Sequence, residues 1–563
     1  VTSARSAPSL PPGRVRRLGS AAAALTLLAA ACAPAAPPYA GYHSPLAPAE
    51  SLLQQARLWD DQLRLTRSLG ADRTPAGLPA GLVRDSLRRY HDRLVALLSE
   101  EDDATLVRSD VVARATLRKE AADLADQVSD SANTGNSDHS ACPPHGTSLS
   151  DLTTTVMACY GREANRIMLD GETLTRLEVL GRIPRTADAA RRKRLFRSLE
   201  PLWRSVNGDD GPESPYRRLL HLRDAAWSQG TSPVESKGQA FGLDAATLEQ
   251  WFVRALAEWR DSQSGPDAEP WDWYYDNGAA SRQLSPRVPT IADLMRINNA
   301  FYRGIGADPR RLDVHYDLLA RPAKYPVAFT DFGSRNHWAG RRLLPGQPWI
   351  FASYQGGGLD NLAELMHETG HAIHIAAIRT RPAYLDWPDS DTFTEALADL
   401  PAMELYEPEW QQRVLGDSVP LSVSLRAKYS GVVLDLAWAL FELRVHENPR
   451  ADPNLVWSAI THDYLHIQPH PEWSWWAMRG QLIDAPGYLI NYALAAFIVA
   501  DLREAVRRAR GRAAWSDPTM YAWLSNRIYR FGLERSSREV MEDVLGRPLS
   551  PDALLRDLGR LRP

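Results

Sequence analysis

The sequence predicts a mostly α-helical protein, on three observations. Glycine and proline cluster at the N-terminus and around 134–147, 264–290 and 343–358. The long stretches between these clusters are rich in alanine, leucine, arginine and glutamate, residues that are common in helices and cost little to place there. With 563 residues, 44% of them hydrophobic, the chain can build one large globular lobe or two closely packed ones. The formal charge of −4 shows no basic excess, so nucleic acid is not an expected partner. No repeat of fixed short period is present, and only the N-terminal alanine- and proline-rich stretch is low in complexity.

The chain opens with an address. Arg14, Arg16 and Arg17 precede an apolar run from Leu18 to Ala31, too short for a membrane span and suited to a secretory signal. Cys32 follows, and the stretch LLAAAC resembles a bacterial lipoprotein processing box, in which the cysteine becomes the lipid-modified first residue of the mature chain. Leu28 stands one place further from the cysteine than is usual, with Ala29 in its place, so cleavage of an ordinary signal near the alanines is the alternative. On this reading residues 1–32 are the signal peptide with its lipoprotein cysteine, and the chain is exported to the bacterial cell envelope as a periplasmic lipoprotein. Its only membrane contact is then the lipid on Cys32. Residues 33–45, rich in proline and alanine, read as a tether, and 46–150 as an N-terminal helical region, in which 46–130 read as exposed amphipathic helices able to form a lid or wall and carrying no chemistry. Cys142 and Cys159 pair in an oxidising compartment or stay as two buried thiols; no motif around either suggests catalysis.

The remaining residues, 151–563, carry the chemistry. In NLAELMHETGHAIH, Asn361 to His374, His367 and His371 are four residues apart. On a helix that spacing leaves them about 40° apart in angle and about 6 Å apart along the axis, so both imidazoles reach one metal ion. Glu368 lies on the flank of that face, where its carboxylate takes a proton from a metal-activated water instead of filling a ligand position. Leu362, Leu365, Met366, Ile373 and Ala377 give the segment the apolar content of a buried helix, in which ionisable groups need a reason to be present. A catalytic zinc usually has three protein ligands, and DTFTEALADL, Asp391 to Leu400, supplies Glu395 as the third. Asp399, one turn on, is placed to accept the second N–H of a ligand histidine and fix its tautomer. His374 lies on nearly the same stripe as His367; since the trio is already complete, it is expected to sit behind the ligands or be buried and hydrogen-bonded.

HETGHAIH followed at this distance by FTEALAD resembles the glutamate-zincin peptidases of two related groups, the thimet oligopeptidase-like enzymes and the angiotensin-converting-enzyme-like peptidyl dipeptidases. The H-E-x-G-H-x-x-H form, with Gly370 and His374, is similar to the first group, and the E-A-x-x-D form and its distance are similar to the second. The resemblance implies a large two-lobed helical metallopeptidase with a deep substrate groove, one zinc ion and a small β-sheet beside the zinc helix. It also implies that PWIFASY, Pro348 to Tyr354, is an edge strand that holds peptide substrate by main-chain pairing, and that His337 contacts the substrate. PGYLINYAL, Pro486 to Leu494, resembles the segment whose tyrosine stabilises the oxyanion; Tyr492 aligns best and Tyr488 is the second candidate. Here the chain departs from the pattern, with Leu482 near the place of a histidine that the related families carry. Either Arg479 substitutes as the partner of an oxyanion or carboxylate, or His466 or His470 comes in from further away. The similarity extends over about 150–560, through YRRLLHLRDAAWSQGTSPVESKGQAFG at 216–242 and two short C-terminal helices broken by Gly546 and Pro548.

The expected activity is zinc-assisted hydrolysis of short peptides, internally or by dipeptide release. Zinc is held by His367, His371 and Glu395, Glu368 is the general base, and Tyr492, with Tyr488, stabilises the oxyanion. The alternative is a zinc-containing envelope lipoprotein that binds peptides or a partner without cleaving them.

Overall fold

The computed structural model describes residues 44–100, 106–129 and 142–562, apart from 143, 145, 229, 231, 322, 323, 325 and 326. The expected signal, Cys32 and nearly all of the tether lie outside the described residues. The chain divides into two compact units, one reaching to Val128 and adding Trp338–Leu343, the other formed by Ser129–His337 and Leu344–Pro563.

The first unit is built on the helices Ala47–Ser68, Ala80–Glu100 and Arg108–Ser129. The first of these departs from the expected exposed amphipathic helix. Alongside Leu53 and Leu63 it buries Glu50, Arg57 and Asp61, and Arg57 reaches Glu120 on the third helix in a buried ion pair. Gln54 explains why a distant segment joins this unit. Its side chain donates to Trp338 O and accepts from Trp338 N, at 3.0 and 2.8 Å, an amide clamp on the segment's backbone.

In the second unit a helical core surrounds the motif-bearing elements. The H-E-x-x-H segment forms Leu359–Ala377, and the glutamate segment forms Asp391–Ala402, started by Ser390, whose hydroxyl accepts from Phe393 N. The two helices pack on each other, and the second also packs on Tyr488–Arg510, which lies along the long helix Leu421–Glu447. Gly370 is what the first packing requires. A Cβ there would fall on Ala398 O and stand 2.8 Å from Ala398 Cα, so only glycine lets the helices approach this closely. Thr392 Oγ1 donates to Asn491 Oδ1 at 2.9 Å, fixing the glutamate helix against the tyrosine helix. Trp203, Trp457, Trp475 and Trp476, all buried, form much of the core behind them.

The sheet corrects one expectation. Trp349–Tyr354 is the central strand of three, parallel to His315–Leu319 and antiparallel to Phe329–Asp331. Ile350 has partners on both sides, Tyr316 and Thr330, so its backbone cannot pair a substrate. PWIFASY reads as a strand, and Trp349–Tyr354 is one, but its neighbours come from residues far away in sequence. The edge nearer the H-E-x-x-H helix in its contacts is Phe329–Asp331.

The segment joining Gln481–Asp484 to the tyrosine helix is also held by a buried charge. Gly487 N donates to Glu442 Oε1 at 2.6 Å, and Arg223 donates to the carbonyls of Leu482 and Ile483. Cys142 and Cys159 are disulfide-bonded, with Cα atoms 5.9 Å apart, so the paired alternative is the one the structure takes.

Two outcomes follow from this packing. Gly370→Ala should destabilise the protein by about 1–3 kcal/mol in denaturant melts and weaken metal binding in parallel, because the helices must separate. Burial raises the Glu442 pKa to about 7, so the folded state holds this proton more tightly than the unfolded chain, and stability falls as pH rises from the ordinary glutamate range through about 7. Glu442→Gln keeps an acceptor for Gly487 N, and thermal melts should show a gain of a few degrees at about pH 8 and a smaller one at about pH 5.

Candidate metal centre

The packing of the two motif helices brings three donor side chains to one point. His367 Nε2 lies 3.2 Å from His371 Nε2 and 3.3 Å from Glu395 Oε2, and His371 Nε2 lies 3.8 Å from the same oxygen. Among the described residues this is the one group of histidine, cysteine or acidic side chains with donor atoms this close together. Three donors of a tetrahedral ion with bonds of about 2.0–2.1 Å are about 3.3 Å apart, so the trio fits zinc in both donor type and spacing. Two imidazoles and one carboxylate leave a fourth position for water, the pattern of a catalytic site.

The surroundings orient the trio. His367 Nδ1 donates to Asp399 Oδ1 at 2.7 Å, which leaves Nε2 as the lone-pair donor facing His371 and Glu395. Burial pushes the His367 imidazole down, but Asp399 and Glu395 outweigh it and raise its pKa well above the usual histidine value. Burial would raise Glu395, and the two histidines overcome it and hold the carboxyl far below the ordinary range. Without a metal each group thus favours its charged form, the proton on His367 standing in for the cation, and a metal ion binds by displacing that proton. His371 Nδ1 is buried without a hydrogen-bond partner among the described residues, and its ring meets Trp387 edge-on at 5.7 Å.

Glu368 lies outside the trio of close donor atoms. Thr330, on the sheet edge, donates to its Oε2 at 2.6 Å and to its carbonyl at 2.9 Å. That contact holds the carboxylate beside the trio and couples its position to the edge strand. Thr330 escaped the sequence reading because a threonine in a short strand carries no local signal.

The tyrosines are both present. Tyr488 Oη donates to Glu395 Oε1 at 3.4 Å, and the Tyr488 and Tyr492 rings meet edge-on at 5.3 Å. Burial and the charge of Glu395 raise both phenols, so both stay protonated donors at neutral pH. Tyr492, with His367, Glu395, Asp399 and Asp435, lines a cavity of about 80 Å³ beside the trio. Arg479 pairs with Asp435 and lies over the rings of Trp438 and Tyr492, at 4.9 and 5.7 Å from their centres. The two histidines of the alternative are engaged with other groups. His466 stands 3.4 Å from Asp267, and His470 bridges Glu269 and Glu472 while stacking on Trp473. Leu482 is packed in the core.

His374 departs from expectation only in its hydrogen bonding. It is buried as expected, but neither ring nitrogen has a hydrogen-bond partner among the described residues; the ring is packed against Trp387 and Tyr529, at 5.5 and 5.0 Å. Burial lowers its pKa to about 3, so it is a neutral packing group. His337 opens a short strand just after Asn336, whose amide donates to Ile378 O at 2.8 Å. That places His337 where the chain passes the C-terminal end of the H-E-x-x-H helix, with Nδ1 3.3 Å from Arg335 O.

A second, larger cavity of about 1150 Å³ is lined by Ala328, next to the edge strand, by Tyr354, and by Asn361 and Glu364 on the N-terminal half of the H-E-x-x-H helix. Glu364 was not singled out in the sequence, where a glutamate on a helix flank reads as a solvated residue.

Solved structures share this architecture. An M32 carboxypeptidase from Deinococcus radiodurans R1 superposes with a TM-score of 0.53 at 15% identity, covering 91% of this chain and 98% of its own. Metallocarboxypeptidase 1 of Trypanosoma cruzi gives 0.52 at 14%, with the same coverage. PZ peptidase A, solved with an inhibitor, gives 0.52 at 15%, covering 90% of this chain and 95% of its own. At these identities the likeness establishes the fold, a mostly helical one of the kind seen in the M32 metallocarboxypeptidases. No protein-family model and no curated protein matches the chain by sequence.

Asp399→Asn should weaken zinc binding by about 10–100-fold in competition with a chromogenic chelator, because His367 loses its anchoring acceptor. Protonated His367 cannot bind a metal, and the stability that its charge lends the metal-free protein is lost as pH rises through its raised pKa. The difference in Tm between zinc-loaded and metal-free protein should therefore grow from about pH 6 to about pH 9.

Proposed function

We propose that this protein is a zinc-dependent peptidase acting on short peptides. The observation that carries the reading is the mutual spacing of His367, His371 and Glu395, at 3.2–3.8 Å, with Glu368 held beside them by Thr330. Zinc in that trio would lower the pKa of a water molecule and polarise a peptide carbonyl. Glu368 accepts the water's proton and passes it to the leaving amine; Thr330 keeps the accepting oxygen in place. Asp399 holds the His367 tautomer. Tyr492 and Tyr488, both neutral, donate to the carbonyl oxygen as negative charge develops on it. The strand Phe329–Asp331, one edge of its sheet among the described residues, offers main-chain groups to an extended peptide.

The names of the fold neighbours favour removal of residues from a peptide's C-terminus, alongside the oligopeptidase and peptidyl dipeptidase readings. Exopeptidase action needs a cation for the terminal carboxylate, and Arg479, beside Tyr492, is our candidate. We also take the chain to be an exported envelope protein anchored through Cys32, a reading supported by the Cys142–Cys159 bridge, since such bonds persist in oxidising compartments. Peptides are its expected partners, and nucleic acid is not.

Incubation of zinc-loaded protein lacking residues 1–32 with unstructured peptides should yield fragments that disappear with a zinc chelator. Their masses distinguish single-residue, dipeptide and internal cleavage. Glu368→Gln should lower kcat by about 10²–10⁴-fold while zinc content is retained. Intact peptides beside zinc-loaded wild type would favour the binding-protein reading.

A further inference from the structure

We propose that Glu364 and Tyr354 form a specificity subsite for a positively charged peptide side chain, lysine or arginine, close to the scissile bond. The inference rests on the peptidase reading and names part of its substrate class.

Glu364 precedes Glu368 by four residues, so it lies on the same helix face, about 6 Å towards the N-terminus. Its side chain is exposed to the 1150 Å³ cavity. Ala328, which leads into the edge strand, lines the same cavity, so a peptide paired with that edge would pass Glu364. The cavity's basic side chains are engaged elsewhere. Arg182 pairs with Glu172 at 2.6 Å, and Arg321 and Lys324 pair with Asp317 at 2.8 and 3.1 Å; Arg185 donates to Gly181 O at 2.8 Å. No such cation lies within ion-pair distance of Glu364 among the described residues.

Tyr354 supplies the second observation. It is 5% exposed, and its hydroxyl is buried with no hydrogen bond of ordinary geometry among the described residues, while the Glu364 carboxylate lies near enough to interact with it. A buried donor left unpaired is costly, and the neighbouring Glu364 carboxylate is the acceptor that would satisfy it. One carboxylate oxygen so held leaves the other directed to the cavity. The protein packed around its stem and the charge of Glu368 raise the Glu364 pKa although the side chain opens to the cavity, and a cation entering there would offset both effects. An ammonium or guanidinium group would act in this way; an apolar side chain would not, and a second carboxylate would add to the repulsion.

The test uses peptides identical except for lysine, Nε-acetyl-lysine or norleucine at one position, scanned along the chain. Zinc-loaded wild type should cleave the lysine peptide about ten-fold more efficiently than its neutral counterparts at one position near the cleaved bond. Glu364→Gln should bring that ratio close to one, and Tyr354→Phe should lower it. A lysine ratio of one in wild type, or a ratio that Glu364→Gln leaves intact, overturns the subsite. Calorimetric binding of the same peptides to the zinc-loaded Glu368→Gln protein separates the two readings. Lysine-selective binding without wild-type cleavage would keep the subsite and remove the peptidase, whereas cleavage without lysine preference would do the reverse. Neither binding nor cleavage of any peptide would overturn both.

Discussion

The contact between Gly370 and Ala398 is the constraint on which the centre depends. His367, His371 and Glu368 are placed by one helix, and any helix with that spacing would place them. Glu395 comes from a second helix, and its carboxylate reaches the two imidazoles because the helices touch backbone to backbone where a side chain at position 370 would push them apart. The first turn of the second helix is tied in turn, through Thr392 and Asn491, to the helix that carries Tyr488 and Tyr492. The metal trio and its two phenols are thus one packed assembly whose geometry is set by helix contacts.

Electrostatics completes what packing begins. Asp399, His367, Glu395 and Tyr488 form a chain of polar contacts, from the 2.7 Å bond at one end to the 3.4 Å bond at the other. Buried charges this concentrated are stabilised only by partners, and each carboxylate of the chain has one. Arg479 and Asp435 repeat the principle beside Tyr492. Glu364 is the exception, since no cation among the described residues lies within ion-pair distance of its carboxylate, and Glu442 is a milder one, with one oxygen bonded and the other buried without a hydrogen-bond partner among the described residues. Groups of this kind mark where the protein has either a ligand to receive or stability to lose with pH.

Much of the centre was legible in the sequence because its determinants are local. The i, i+4 histidines and the adjacent glutamate need only a helix, and Glu395 and Asp399 need a second helix of the same kind. The helical class followed equally from composition. What was not legible depends on pairing across long distances. Trp349–Tyr354 is a strand, as its apolar and aromatic run indicates, but its central position is decided by His315–Leu319 and Phe329–Asp331, for which short segments carry no register signal. Thr330 at Glu368 and the dry packing of His374 between Trp387 and Tyr529 are contacts of the same origin. The buried charges of Ala47–Ser68 also ran against an amphipathic reading, which registers periodicity and not the neighbours that cover each face.

The most direct test of the account is a crystal of the protein with zinc, measured with anomalous scattering on both sides of the zinc absorption edge. The account predicts one strong site, about 2.0–2.2 Å from Nε2 of His367, Nε2 of His371 and a carboxylate oxygen of Glu395, with Glu368 outside the ligand set. Zinc bound elsewhere, or a site closed by Glu368 or His374 as a fourth protein ligand, would contradict it.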